Sequence, residues 1–176
     1  MKIFVTGATG FIGSHFVNAA RKAGHTVIAL KRINSKTVIP VDDTINWITG
    51  SIEYFDSNVL KDVEIFVHLA SYGVSPKPAN WDQCLLVNSY QSGKLIQTAY
   101  ENGVRKFLIT GTYAEYGLSG NKYDFIPPNA PLEPVGAYPT SKVMFYNFLK
   151  GFFNQYSDMA IYYGRLFSVY GDGQFK

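Results

Sequence analysis

The chain has 176 residues, of which 47% are hydrophobic and 16% charged, with a formal net charge of +3. This length suits one domain with a sizeable core, and the scattered Lys and Arg residues exclude the basic stripe of a nucleic-acid-binding protein. A single cysteine, Cys84, excludes an internal disulfide framework and a multi-cysteine metal site. No run of 18 apolar residues indicates a membrane span, and MKIFVTGATG enters a strand at once, which leaves no room for a signal peptide. We therefore expect a soluble cytoplasmic protein without a metal, membrane or nucleic-acid partner.

Short apolar runs rich in β-branched and aromatic residues alternate with helix-like stretches along the whole chain. The predicted strands are 2–6, 26–31, 45–49, 64–70, 106–110 and 159–166. The predicted helices lie near 12–23, 80–102 and 137–156, and an ordered proline-rich loop, 126–139, leads into the last one. Nearly continuous hydrophobic strands indicate burial on both faces. Residues 1–176 are therefore predicted to form one α/β domain, a doubly wound parallel sheet between two helix layers, which is the Rossmann fold.

The segment VTGATGFIGSH joins the first strand to the first helix, which is the context that a dinucleotide-binding glycine motif requires. Gly7 permits the tight turn, Gly10 lets the backbone approach a pyrophosphate, and Gly13 lets the helix pack closely on the strand. The first helical turn, with Phe11 and Ile12, offers unpaired N–H groups to the phosphates. The motif therefore predicts a dinucleotide site rather than a ligand-free turn.

The end of the second strand bears on which dinucleotide binds. NAD-binding folds usually carry an acidic residue there, about 20 residues beyond the glycines, whereas this chain has Lys31 and Arg32. These side chains would attract a ribose 2′-phosphate, and a guanidinium suits bidentate contact with it. NADP(H) is therefore favoured and NAD(H) is possible; the alternative for the two residues is a solvated basic strand end.

A tyrosine and a lysine four residues apart, Tyr138 and Lys142, lie in AYPTSK at the start of the last predicted helix. Helical spacing puts both side chains on one face. A lysine ammonium about 4 Å from the phenol contributes about 4 kcal/mol at an effective dielectric of 20. That energy is about what brings a tyrosine pKa from 10 to near 7. The pattern alone fits either this acid–base device or an incidental pair on a helix surface.

A series of motifs in order resembles the extended short-chain dehydrogenases/reductases, and among them the nucleotide-sugar epimerase/dehydratase family. The motifs are TGATGFIG, HLAS (68–71), VNSYQSGKLIQTA (87–99), ITGTYAEYG (109–117), the Tyr138 and Lys142 pair, and GRLFSVYGDGQ (164–174). The resemblance implies that Tyr138 is the catalytic acid/base and that Lys142 lowers its pKa and bonds the nicotinamide ribose. It implies that Thr112 holds the substrate oxygen and that Asn88 is a support residue near the lysine.

The same resemblance assigns further residues to the site. Those expected at the cofactor are Ser51 and Ile52, where relatives contact adenine through an Asp, together with Leu69, Ala70, Ser71 and Phe167. Those expected to face the substrate are Tyr72, Tyr113 and Ser168. His68 is a candidate acid–base group, but its position in a predicted strand favours a buried histidine with a structural role.

The residues after Thr112 bear on the reaction. Dehydratases of the family carry Asp and Glu directly after the threonine, where this chain has Tyr113 and Ala114, with Glu115 one place too late. A dehydratase is therefore rejected, and decarboxylating relatives, with Glu at the place of Ala114, are disfavoured. Epimerases of the family that act at C3 and C5 require an additional Cys or His near the substrate. Cys84 is a poor candidate for that residue, because it is expected in the outer helix region as a small buried hydrophobe.

What remains is hydride transfer at a sugar carbon, usually C4, of a nucleotide sugar. The favoured expectation is an NADPH-dependent reductase of nucleotide-linked 4-keto-6-deoxyhexoses, and the alternative is an NAD-dependent 4-epimerase. A non-catalytic NADP(H)-binding module is the alternative from another class, although intact Thr112, Tyr138 and Lys142 argue against it. Relatives continue for more than a hundred residues past VYGDGQ, so the family's small substrate domain is expected to be absent, and the full-length protein is expected to be a homodimer.

Overall fold

The computed structural model describes residues 1–74 and 79–174. In these residues six strands form a parallel sheet in the order β3-β2-β1-β4-β5-β6. Their bounds are β1 Lys2–Thr6, β2 Thr26–Lys31, β3 Asn46–Thr49, β4 Ile65–His68, β5 Lys106–Thr112 and β6 Ala160–Leu166. The strand order reverses between β1 and β4, as in a doubly wound sheet. The predicted Rossmann fold is therefore confirmed, and every predicted strand is present.

Four α-helices flank the sheet in the described ranges: α1 Phe11–Lys22, α2 Trp81–Cys84, α3 Ser92–Glu101 and α4 Ala137–Gln155. A π-helical segment, Leu85–Gln91, joins α2 to α3, so a wider turn interrupts the helix predicted near 80–102. Short 3₁₀ turns occupy Ser57–Leu60, Tyr113–Glu115 and Leu118–Lys122. None of the helices in this part of the chain has the length and apolarity needed to cross a membrane.

Alternate residues of each central strand face opposite helix layers. In β1, Ile3 and Val5 join the buried cluster that includes Val17 of α1, whereas Phe4 joins the cluster on the other face. That second cluster contains Leu95 of α3 together with residues of α4. Burial on both faces explains why the strands are almost uniformly apolar, and it confirms the predicted three-layer arrangement.

Several element ends differ from the predicted ones. β4 ends at His68, which leaves Leu69 and Ala70 in the loop beyond it. β5 continues to Thr112, two residues beyond its predicted end, whereas α4 begins at Ala137 as predicted. The longer β5 matters most, because it carries Thr112 to the edge of the sheet.

Two glycines of the loop between β1 and α1 are required by contacts with neighbouring backbone. Gly7 has a φ of +72°, and a Cβ there would lie 2.5 Å from the amide nitrogen of Ala70. A Cβ at Gly13 would overlap the carbonyl oxygen of Gly7 and lie 2.7 Å from the Cα of Ala8. The expected tight turn and close helix packing are therefore both present.

We predict that Gly13→Ala destabilises the chain by about 1–3 kcal/mol, because the added methyl forces α1 away from the loop. Gly151→Ala is the matched control, since no atom lies within 4 Å of a Cβ added at this position of α4. There alanine should stabilise the helix by about 1 kcal/mol. Urea unfolding followed by circular dichroism measures both changes, and an unchanged midpoint for Gly13→Ala would contradict the packing argument.

Candidate active site

The predicted site residues lie at the carboxyl ends of the strands. The glycine motif follows β1, Lys31 ends β2, Leu69 follows β4 and Thr112 ends β5. Parallel strands bring these ends to one edge of the sheet, where the reversal between β1 and β4 opens a crevice. Phe11 and Ile12 lie in the first turn of α1, and the remaining predicted residues on the adjoining loops are Gly10, Arg32, Ser51, Ile52, Ala70, Ser71, Phe167 and Ser168.

The first turn of α1 is built to receive an anion. Gly10 is its N-cap and supplies no side-chain cap, and the first turn contains no acidic residue. The first helical hydrogen bond runs from the Ser14 N–H to the Gly10 carbonyl oxygen at 2.8 Å. The N–H groups of Phe11, Ile12 and Gly13 therefore lack a helical acceptor. This helix end fits the pyrophosphate of a dinucleotide.

Asn88, in the π-helical segment, ties the loop after β4 to α4. Its Oδ1 accepts from the Tyr72 N–H at 2.8 Å and from the Ser71 hydroxyl at 3.2 Å. Its Nδ2 donates to the Tyr72 carbonyl oxygen at 2.9 Å and to Ser141 Oγ at 3.0 Å. These bonds satisfy the whole buried amide. The predicted support residue therefore holds two elements of the site together.

Ser141 carries this connection to Tyr138. Its hydroxyl donates to the Tyr138 carbonyl oxygen at 2.7 Å, and the Ser89 hydroxyl donates to the Ser141 carbonyl oxygen at 2.8 Å. Ser141 is fully buried. Sequence reasoning missed this residue, and the signal available was its position inside AYPTSK, directly before Lys142.

His68 is buried and links β1 to α3. The Ser92 hydroxyl donates to the Val87 carbonyl oxygen at 2.8 Å, so its oxygen accepts from His68 Nε2–H at 3.0 Å. Nδ1 then accepts from the Thr6 hydroxyl at 2.7 Å. Burial, and after it the charge of Lys142, lowers the pKa of His68 to about 3. The imidazole is therefore neutral and fully bonded, which agrees with a structural role.

Tyr138 and Lys142 lie on the first turns of α4, at the spacing that places them on one face. Burial lowers the pKa of Lys142 from 10.5 to about 8, and Glu115 opposes that shift. Burial also raises the pKa of Tyr138 above its usual value, while the hydroxyls of Ser71 and Thr112 act to lower it. The net shift of the Tyr138 pKa is therefore upward, and the expected lowering by Lys142 stays a prediction. Desolvation dominates, and the phenol is protonated at neutral pH.

Thr112 caps the 3₁₀ turn that follows β5. Its Oγ1 accepts from the Ala114 N–H at 3.3 Å, and its own N–H donates to Glu115 Oε1 at 2.9 Å. Glu115 Oε2 accepts from Arg165 Nε at 2.6 Å. Glu115 lies one position beyond the place of the dehydratase glutamate, but in the structure it is fully buried and hydrogen-bonded beside Thr112. The Thr-x-x-Glu spacing of a capping box was the signal that sequence reasoning missed.

Cys84 is buried as expected, but it lies beside the candidate site rather than in an outer helix region. Its thiol lies 4.0 Å from the Tyr72 carbonyl oxygen, and it is close enough to affect the pKa of Tyr138. Burial raises the pKa of the thiol. Cys84 is therefore a small neutral group packed against the site.

The basic pair at the end of β2 separates in the structure. Lys31 lines a groove of about 560 Å³ together with Lys36 of the following loop. Its ammonium lies 5.3 Å from the centre of the Trp47 ring, in cation–π contact. Arg32 is exposed and does not line this groove. Lys36, and not Arg32, thus shares the groove with Lys31, and the 2′-phosphate contact expected of Lys31 and Arg32 stays a prediction.

The hydroxyl of Ser51 is engaged in a local turn. Its oxygen accepts from the N–H groups of Tyr54 at 3.0 Å and Glu53 at 3.3 Å. Ile52 is partly buried against the larger core cluster. Ser51 keeps its hydroxyl proton for donation, so contact with adenine stays a prediction.

Aromatic side chains form the outer rim beyond Thr112. The rings of Tyr113 and Phe167 stack with centroids 5.6 Å apart, which joins the ends of β5 and β6. Both rings are about half exposed, Ser168 is exposed and Tyr72 is half-buried. The cofactor and substrate roles expected of these residues stay predictions.

The model of the NAD-dependent epimerase/dehydratase family matches residues 3–176. The chain belongs to this family. It is similar to a UDP-glucose 4-epimerase from Lactobacillus helveticus, with 28% identity over 149 residues that cover 82% of this chain and 44% of the relative. The chain spans about half the length of the curated relatives it matches.

Two solved structures share the fold. MoeE5 in complex with UDP-glucuronic acid and NAD has a TM-score of 0.80 and 27% identity, and the match covers 99% of this chain and 57% of that one. TunA, an NAD-dependent NDP-hexosamine 5,6-dehydratase, has a TM-score of 0.83 and 28% identity, with 97% and 55% covered. The expected family is therefore confirmed. The preference for NADP(H) finds no support in these relatives, and the presence of a dehydratase among them leaves that reaction open.

Proposed function

We propose that this chain carries the catalytic part of a nucleotide-sugar oxidoreductase acting at C4 of the sugar, of the 4-epimerase type. The observation that supports it most is the placement of Thr112, Tyr138 and Lys142 beside the glycine loop at one edge of the sheet. The epimerase relative and the NAD-bound neighbour support the same function. Against a dehydratase, the two residues directly after Thr112 are Tyr113 and Ala114, and the next one, Glu115, is paired with Arg165.

The mechanism follows from the chemistry of these side chains. The glycine loop, the first turn of α1 and Lys142 would hold a nicotinamide dinucleotide, which supplies hydride acceptance and donation when bound. The Thr112 hydroxyl holds the C4 oxygen of the sugar. Tyr138 first releases its own proton to solvent; as the phenolate it takes the proton from that oxygen during oxidation and returns it during reduction, after the sugar has turned over. The ammonium of Lys142 stabilises the phenolate while the proton is away.

The second candidate function is a 4-ketoreductase. It is favoured by the raised pKa of Tyr138, because a protonated phenol is ready to donate to a developing alkoxide. The groove of Lys31 and Lys36 also suits the 2′-phosphate of a dissociable NADPH. The substrate would then be a nucleotide-linked 4-keto-6-deoxyhexose.

We predict that Tyr138→Phe lowers kcat at least about 100-fold while the Kd for the cofactor changes little, because the substitution removes only the proton-transfer group. Turnover is followed by chromatography of the nucleotide sugars, and cofactor binding by nicotinamide fluorescence. UDP-glucose with NAD should give the C4 epimer without net change of cofactor if the epimerase proposal holds.

The outcomes separate the candidate functions. Stoichiometric NADPH consumption with the 4-keto sugar, and no epimer, would favour the reductase. Cofactor binding without turnover of either substrate in the parent chain would favour a non-catalytic module. Full activity of Tyr138→Phe would overturn the mechanism.

We propose that NAD(H) binds and that the groove of Lys31 and Lys36 adds affinity for NADP(H). Lys31→Ala should weaken NADPH binding about 10-fold, the loss of roughly one charge-assisted hydrogen bond, and leave NADH within about 2-fold. Arg32→Ala is the matched control and should alter neither Kd. Titration of nicotinamide fluorescence with both cofactors measures this. Equal weakening of NADH and NADPH by Lys31→Ala would refute the 2′-phosphate role.

We also propose that the protein forms a homodimer through the helices beside Asn88. Leu86, Tyr90, Met144 and Phe148 place large apolar side chains on this face, with exposures of 41%, 66%, 49% and 38%. They come from the π-helical segment and α4, and they surround a mainly apolar groove. A contiguous apolar patch on two neighbouring helices suits a second copy related by a twofold axis.

We predict that Met144→Glu shifts the protein toward monomer by at least about 10-fold in the dimer dissociation constant, because it buries a charge in the interface. Analytical ultracentrifugation measures the change. Phe125→Glu is the control, since Phe125 is 94% exposed and lies outside this face. A monomeric parent protein at tens of micromolar would contradict the dimer.

A further inference from the structure

Glu115 and Arg165 form a buried ion pair behind Thr112. The Glu115 side chain has no exposed surface and the Arg165 side chain is 12% exposed. Glu115 Oε1 accepts from the Thr112 N–H at 2.9 Å and from the Tyr163 hydroxyl at 2.7 Å, and Oε2 accepts from Arg165 Nε at 2.6 Å. Every bond of this carboxylate therefore comes from the end of β5 or from β6.

The guanidinium of Arg165 is enclosed by aromatic rings. Its carbon lies 4.5 Å from the ring centre of Tyr146, 5.1 Å from that of Tyr116 and 5.5 Å from that of Tyr163. Tyr146 belongs to α4, two turns after Tyr138. The ion pair thus spans the turn after β5, β6 and α4, which are the elements that hold Thr112 and Tyr138.

Space for the pair is provided by Gly111. A Cβ at that position would lie 2.5 Å from Glu115 Oε1 and 2.6 Å from the Tyr163 hydroxyl oxygen. The sequence Gly-Thr-x-x-Glu therefore combines the residue that makes room for the carboxylate with the residue whose N–H it accepts.

We propose that Glu115 and Arg165 act as a positioning pair that fixes the end of β5 at Thr112 and sets the electrostatic field at Tyr138 and Lys142. The proposal rests on the proposed function only in taking Tyr138 as the acid/base. The motif resemblance assigns no role to either of these two residues.

The charge of Glu115 reaches the site. Burial raises the pKa of Tyr138 and Glu115 raises it further; burial lowers the pKa of Lys142 and Glu115 works against that change. Arg165 compensates the carboxylate through the 2.6 Å contact of its Nε with Glu115 Oε2. The titratable groups that face the pair are Tyr116 from the turn after β5, Tyr138, Lys142 and Tyr146 from α4, and Tyr163 from β6.

This arrangement predicts that substitutions of Glu115 and of Arg165 shift the pKa of Tyr138 in opposite directions. Glu115→Gln removes a negative charge and leaves Arg165 uncompensated, so the pKa of Tyr138 should fall. Arg165→Gln leaves the carboxylate uncompensated, so the pKa of Tyr138 should rise. A role confined to packing would weaken the fold in both variants without shifting this titration in opposite directions.

The experiment titrates the full chain labelled with ¹³C at Cζ of tyrosine, by NMR. The resonance of Tyr138 is assigned from its loss in Tyr138→Phe. Glu133→Gln is the matched control, because it makes the same substitution in an exposed pair with Lys122 and should leave the Tyr138 titration unchanged. Arg165→Lys keeps the charge and should stay close to the parent chain in the midpoint.

Opposite shifts in Glu115→Gln and Arg165→Gln support the proposal, and shifts of the same sign, or none in either, overturn it. Each variant has its own predicted direction for the shift of the Tyr138 pKa. If one of them fails to fold, the other still decides the question. Arg165→Lys is the milder change at the arginine. The titration needs no turnover. An active Tyr138→Phe would therefore overturn the catalytic mechanism while the field of the pair is measured separately.

Discussion

The amide of Asn88 is the contact on which the geometry of the site depends. Its four hydrogen bonds join the loop after β4 to Ser141, and Ser141 bonds the backbone of Tyr138. An amide that is buried and fully bonded is costly to displace, because each bond lost leaves an unsatisfied group. Asn88 faces this way because it lies in a π-helical turn, where the helix is wider than an α-helix. The buried chain from Thr6 through His68 to Ser92 and the Val87 carbonyl holds that turn from the sheet side.

The same edge of the sheet contains several buried charges, and their costs explain the pKa values there. Holding Lys142 protonated in the folded chain costs about 3 kcal/mol, given its fall from 10.5 to about 8. Glu115 reduces that cost, and Arg165 in turn neutralises Glu115. Tyr138 lies between these groups and stays neutral, because desolvation outweighs the help of the nearby hydroxyls. At Tyr138, desolvation therefore decides the direction of the pKa shift in spite of a lysine at helical spacing.

The sequence predicted the sheet well, since strand identity depends on local apolar runs and turn residues. It also predicted the glycine loop and the positions of Thr112, Tyr138 and Lys142, through motif order. It could not predict Glu115 in its ion pair, because the partner is fifty residues away and only the pairing of β5 with β6 brings them together. It misplaced Cys84 for a related reason: a helical pattern indicates a buried face but not which neighbour covers it.

Lys31 illustrates how far a local charge can be interpreted. Two basic residues at the end of β2 predict a phosphate clamp. In the sheet, however, Lys31 pairs with Thr49 of β3, so Trp47 is its diagonal neighbour on the same face. The ammonium contacts that ring, whereas Arg32, the first residue after the strand, is exposed and does not line the groove. The second lysine of the groove, Lys36, comes from the loop that follows β2 and not from the position next to Lys31. Preference between dinucleotides is therefore a property of the groove formed by β2, β3 and the loop between them, and not of the basic dipeptide alone.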